Sequence, residues 1–174
     1  MNRILLRTER LELTPLSADQ LKRYGDDAVA LESELRMPIS RAILTPRVRR
    51  AIGMKLAKME NAAEADHIWY TYWLIVVRNV PFGAGLAGFK GCPDPNGETE
   101  IGYGIDPEYQ GRGYMTEAVI AMIRWALAQE TCRTVVALGV DPSNVASQRV
   151  LEKAGMLRFE ESKNSISYRI RRAP

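Results

Sequence analysis

Residues 106–118 read Asp106-Pro107-Glu108-Tyr109-Gln110-Gly111-Arg112-Gly113-Tyr114-Met115-Thr116-Glu117-Ala118. Before this stretch, Glu98–Ile105 alternates with period 2. After it, Tyr114–Gln129 carries an apolar stripe at helical spacing, with Met115, Val119, Met122 and Ala126 at i, i+4, i+7 and i+11. The sequence therefore predicts a strand, a glycine turn and a helix. Gly111 and Gly113 have no Cβ, so an anion can approach the backbone there. The helix behind them offers unpaired N–H groups and the positive end of its dipole. That combination is a phosphate cradle.

Two familiar cradles fail on residues. The nucleotide P-loop needs G-x-x-x-x-G-K-[ST], and the chain contains no Gly-Lys-Ser/Thr. The dinucleotide fingerprint needs a third glycine where Thr116 stands. What remains is Gln110-Gly111-Arg112-Gly113-Tyr114-Met115, which resembles the Q/R-x-x-G-x-G/A signature of the GNAT superfamily of N-acetyltransferases. Gln110 and Gly113 match that signature, and Met115 departs from its usual small residue. The flanking Glu100-Ile101-Gly102-Tyr103, Tyr114–Ala118 and Asn144–Ser147 also fall where the family has them. The opening Thr8-Glu9-Arg10-Leu11-Glu12-Leu13 resembles the first strand of the RimJ/RimL-like branch.

The resemblance implies an α/β fold of GNAT type: a mixed, mostly antiparallel central sheet with a splayed parallel strand pair, flanked by helices. It implies acetyl-CoA as cosubstrate, held by the amides of Gln110, Gly111, Arg112, Gly113, Tyr114, Met115 and Thr116. It also implies that main-chain groups of Tyr103 and Ile105 pair with the pantetheine arm, and that Asn144 contacts that arm. Capping its own helix is the other role open to Asn144. Arg112 and Arg149 are candidates to neutralise phosphate, which the planar guanidinium suits. Arg149 also reads as solvated surface.

Acetyl transfer needs a neutral amine, a polarised carbonyl and a stabilised leaving thiolate. Glu100, at the acidic position of the family's E-I-G-Y segment, is the first candidate base. Orienting the amine without taking its proton is its alternative role. Glu160 and Glu161 are weaker candidates for the base. The family's tyrosine acid would fall on Leu151, which has no proton to donate. Ser147, one turn after Asn144, is the candidate donor to the thiolate, or else an ordinary helix residue. The acceptor is a protein or small-molecule amine. Leu151 motivates the alternative of a CoA-binding module with weak or lost catalysis.

A chain of 174 residues suits one domain spanning 1–174. Its 26% charged and 46% apolar residues are ordinary for a globular protein. A net charge of +3 is no nucleic-acid footprint. Cys92 and Cys132 lack metal or redox spacing, and His67 stands alone, so no metal is expected. No signal peptide and no membrane span is legible, and the cytoplasm is the expected location. A homodimer would follow family habit.

Elsewhere, residues 3–16 read as one strand, with Ser17 or Asp19 capping a helix to about Asp26. Residues 30–66 are helix-prone but broken by Pro38 and Pro46. Pro46–Asn61 reads as a helix exposing Arg47, Arg49, Arg50, Lys55 and Lys58. That basic run is either a solvated face or a wall favouring acidic acceptors. Trp69–Val77, Gly83–Gly91, Thr134–Val140 and Ser165–Arg172 read as strands, and Pro142–Ala154 as a helix closed by Gly155.

Overall fold

The computed structural model describes residues 4–173. The start of the expected first strand, Arg3, lies outside them. The elements run β1 (Leu6–Arg7), β2 (Leu11–Pro15), α1 (Ala18–Asp26), α2 (Ala28–Leu35), α3 (Pro46–Glu60), α4 (His67–Tyr70), β3 (Tyr72–Val77), β4 (Phe82–Phe89) and β5 (Glu98–Ile105). Then follow α5 (Tyr114–Ala128), β6 (Thr134–Val140), α6 (Val145–Lys153), β7 (Leu157–Ser162) and β8 (Ser165–Arg171). The strands form one sheet in the order β1-β2-β3-β4-β5-β6-β8-β7. Among the described strands only β5 and β6 pair in parallel, and α5 supplies the crossover that parallel neighbours need.

Each face of the sheet buries its own core. Trp73, Ile75, Ala87, Ile101 and Val135 meet the inward stripe of α5 (Met115, Val119, Met122, Ala126) and Leu151 of α6. Leu74, Val76 and Leu86 meet α1–α3 through Leu21, Tyr24, Leu31, Ile52 and Met59. Ser17 makes a capping box with Gln20, and Thr45 caps α3 with Pro46 in its first turn. Gly155 closes α6 at φ +84°, a left-handed conformation that costs glycine little.

Four local expectations change. Residues 3–16 hold two strands, because the chain turns over Thr8–Arg10 and β1 pairs back on β2. Trp69 belongs to α4, where its ring packs 5.1 Å from Phe89 and 4.7 Å from Trp125, so β3 starts only at Tyr72. Strand β7 was not expected: every residue in it is exposed, so no buried alternation marks it. Lys55 is buried, not on a solvated basic face. It stands on the inward stripe with Ile52 and Met59, and its Nζ donates to the carbonyls of Phe89 (2.6 Å), Tyr70 (3.0 Å) and Thr71 (3.3 Å).

Candidate active site

Strands β5 and β6 pair only at Glu98–Thr134, Thr99–Val135 and Glu100–Val136. Beyond Glu100 they part, while β5 stays paired with β4 through Ile105. The hydrogen bonds fix which β5 groups are left free. Glu100 O accepts from Lys90 N, and Asp106 N donates to Ala84 O, so even-numbered residues spend their main-chain groups on β4. By alternation, the N–H and C=O groups of Tyr103 and Ile105 face the gap. Side chains alternate too. Tyr103 and Ile105 lie on the α5 side, whereas Glu100 shares the opposite face with Gly102 and Gly104, where a Cβ would meet nothing within 4 Å.

The loop between β5 and α5 is fixed at both ends. Buried Asp106 accepts from Ser40 Oγ at 2.5 Å and from Glu108 N at 2.9 Å. Gly111 and Gly113 then take φ +73° and +79°, conformations that side chains rarely adopt. Arg10 braces the far end. Its Nη1 donates to Arg112 O at 2.9 Å, its Nε lies 2.7 Å from Glu117 Oε2, and its guanidinium sits 4.6 Å over the Tyr114 ring. Glu117 also accepts from Thr8 Oγ1 and Arg10 N. Burial alone would raise the Glu117 carboxyl, but these hydrogen bonds and the Arg10 charge hold it below its ordinary range.

A cavity of about 440 Å³ fills the gap. Tyr103, Ile105, Gln110, Gly111, Gly113, Tyr114, Met115 and Thr116 border it on one side, and Asn144 and Ser147 on the other. Arg149 borders it as well, and so does Lys153, a second cation not singled out from sequence. Arg112 is outside the lining, with its guanidinium 5.5 Å over the Tyr109 ring. Met115 is buried in the core beneath the loop, so its bulk does not crowd the glycines. Asn144 caps α6 by accepting from Ser147 N at 3.1 Å. The Tyr103 hydroxyl stands 2.9 Å from Ser147 Oγ. Burial pushes this phenol up to about 12, and the bond to Ser147 only partly offsets the shift.

Glu100 does not border that cavity. It lines a second one, of about 880 Å³, with Lys58, Tyr70, Lys90 and Cys92, and its carboxylate pairs with Lys90 Nζ at 2.5 Å. Glu160 and Glu161 are exposed on β7 and border neither cavity. Leu151 is fully buried. Among the described residues, no group of three or more His, Cys, Asp or Glu is placed to hold a metal. None of the described helices is long and apolar enough to cross a membrane.

Residues 10–157 match the family model described as an acetyltransferase (GNAT) domain. The chain belongs to the GNAT acetyltransferase family. This GNAT chain is 38% identical over 85 residues to an uncharacterised N-acetyltransferase, YjdG, of Bacillus subtilis; the match spans 49% of this chain and 50% of that relative. Its fold is similar to a ribosomal-protein-S5-alanine acetyltransferase of Vibrio fischeri, at TM-score 0.68 and 20% identity over 97% of both chains. It is also similar to RimL, a ribosomal L7/L12 α-N-protein acetyltransferase solved with coenzyme A, at TM-score 0.64 and 17% identity over 97% of this chain and 98% of that one. The chain thus carries a GNAT acetyltransferase domain, with an open sheet of GNAT type, and the match spans about half the length of that curated relative.

Besides Lys153, two site features carry no local mark in the sequence. The resemblance gives Tyr103 a main-chain role only, although its parity with Ile101 and Ile105 puts the ring on the α5 side. Arg10 was noted only as part of the Thr8–Leu13 resemblance; its spatial neighbours lie about a hundred positions on in the chain, at Arg112 and Glu117.

Proposed function

We propose that this protein moves the acetyl group of acetyl-CoA to a primary amine, either a protein N-terminus or a small-molecule amine, by direct attack in a ternary complex. One observation carries this reading: a single gap has free strand groups on one wall, left-handed glycines and a helix N-terminus at its mouth, and Asn144 with Ser147 on the other wall. Amides from Gly111 to Thr116 would take the pyrophosphate, with Arg149 and Lys153 adding charge. Tyr103 and Ile105 would pair with the pantetheine arm as a missing strand would. Ser147 would donate a hydrogen bond to the departing sulfur.

Glu100 faces the side that Gly102 and Gly104 leave bare. An amine arriving there would give its proton to Glu100, directly or through water, and attack across β5. The main-chain cradle holds the cosubstrate, and the second cavity presents the acceptor.

Calorimetry with acetyl-CoA, followed by thiol release over a panel of α-amino peptides and small amines, tests the reading. Tight binding with thiol release for at least one amine class is expected. Glu100→Gln should then cost roughly 10²–10⁴ in kcat, with acetyl-CoA affinity unchanged. The buried Leu151 favours a second reading, a CoA-binding module. Binding with no thiol release across the whole panel would select it.

A further inference from the structure

The cavity that holds Glu100 is lined by charges of both signs. Glu100, Glu98 and Asp66 border it, and so do Lys58 and Lys90. Of the exposed basic residues on α3, Lys58 reaches this lining, whereas Arg47, Arg49 and Arg50 do not. Lys90, one residue past β4, stands directly across the ladder from Glu100. Its N–H donates to the Glu100 carbonyl at 2.9 Å, and its Nζ meets Glu100 Oε1 at 2.5 Å. Lys58 arrives from α3 and donates to the Lys90 carbonyl at 2.8 Å; it has no carboxylate partner among the described residues. One turn earlier, buried Lys55 donates to the neighbouring carbonyl of Phe89. Three lysines thus converge where β4 ends. Burial pushes Lys55 down to about 7, and the charges of Lys58 and Lys90 add to the shift.

We propose that Lys90 and Lys58 set the acceptor specificity, and that the acceptor is an amine carrying its own carboxylate a few bonds away: a free α-amino acid, or a peptide N-terminus whose first side chain is acidic. This rests on the acetyltransferase reading above. With no acceptor bound, Lys90 and Glu100 neutralise each other. The Lys90 side chain is 65% exposed and that of Glu100 16%, so the lysine is the partner free to swing. A ligand with both groups exchanges that one ion pair for two: its amine goes to Glu100, and its carboxylate to Lys90 and Lys58. Because Lys90 touches Glu100, the ligand's two groups must lie close together. A neutral amide in place of the carboxylate leaves Lys90 without a partner beside the amine. A polyamine brings a second ammonium against two lysines. Both are disfavoured by charges left unmatched. Exposed Glu98 and Asp66 draw any ammonium toward the cavity, so they do not discriminate among amines. The carboxylate keeps its charge throughout transfer, so the preference belongs in KM rather than kcat.

Thiol release from acetyl-CoA tests this with two pairs of amines: alanine against alaninamide, and aspartyl-alaninamide against asparaginyl-alaninamide, with KM expressed for the neutral amine. An exposed ion pair is worth at most about fivefold, so two lysines should favour the carboxylate member by roughly tenfold in at least one pair. The pair that shows it tells a free amino acid from a peptide. Lys90→Met and Lys58→Met should each raise KM for the carboxylate member about threefold more than for its amide. Lys90→Arg should keep the preference, and so should Arg50→Met, outside the cavity. High salt should shrink the ratio, because exposed charges are screened. Equal losses for both members of a pair, as a merely structural lysine would give, overturn the proposal, as does a wild-type ratio near one in both pairs. Thiol release that continues with other amines in that case leaves the acetyltransferase reading standing. No thiol release with any amine sinks both.

Discussion

Arg10 touches three parts of the cradle at once: the Arg112 carbonyl, the Glu117 carboxylate and the face of Tyr114. Its Nη2 would stand 3.3 Å from a Cβ at Gly113, a tight approach that adds to the left-handed φ in favouring glycine there. The loop therefore keeps its left-handed turns because a distant edge turn props it. Arg10→Ala should let the loop leave the competent shape. If the competent fraction drops to about a tenth, apparent acetyl-CoA affinity falls about tenfold. Calorimetry reads this directly, and unchanged affinity would show that the glycines hold the shape unaided. The Glu117 carboxyl titrates below its ordinary range when folded, so its contribution to stability is complete above about 4.5 and is lost as pH falls through the lower folded value. Residue by residue, the glycines were legible because positive φ leaves a mark in composition. Arg10 and the Tyr103 hydroxyl were not, because each acts through a partner far away in sequence.

Helix α3 shows how one residue can depart from a pattern that its neighbours follow. Its start at Thr45-Pro46 was legible from capping chemistry. Arg47, Arg49, Arg50 and Lys58 are exposed, as the basic run implies, yet Lys55 shares the buried stripe with Ile52 and Met59. Three carbonyls and the Tyr72 ring, 4.5 Å from Nζ, receive the lysine. Desolvation, then the charges of Lys58 and Lys90, push it down to about 7. The sign follows. Below about 7 both folded and unfolded chains hold the proton. Between that value and the ordinary 10.5 the unfolded chain holds more, so stability rises with pH across this window. Urea midpoints at pH 7 and pH 9 should therefore increase for wild type relative to Lys55→Met. Lys55→Met should also be less stable at pH 9 by ~1–3 kcal/mol, the cost of unpairing buried acceptors. A flat or falling difference would mean that the three carbonyls hold the charge in place. Strand β7 escaped reading for the opposite reason: it is exposed throughout, and only its ladder with β8 makes it a strand.

At the scale of the molecule, the sheet is two sets of strands joined by three residue pairs between β5 and β6. The β1–β5 set carries α1–α3 on one face, and α5 packs on the other with Trp69 of α4 while also reaching β6. The alternation of Glu98–Ile105 and the buried-strand run of Thr134–Val140, with one helix between them, make this junction legible in outline. How far the strands pair before parting was not, because a register ends through side-chain packing that no local pattern records. A ligand in the gap touches both sets, gripping β5 and the α5 N-terminus on one side and α6 on the other. It should therefore do what the missing ladder does not. Acetyl-CoA at a hundred times its Kd should add ~2.7 kcal/mol to unfolding stability. Hydrogen exchange should slow most at Tyr103–Ile105, Gly111–Thr116 and the first turn of α6, with β6–β8 following because they are tethered through α6. Strands β2 and β3, already paired on both sides, should change little. Protection confined to the loop, with β6–β8 exchanging as before, would mean that the cosubstrate docks at the mouth without bridging the two sets, and the gap would then lose its claim to be where the thioester is held.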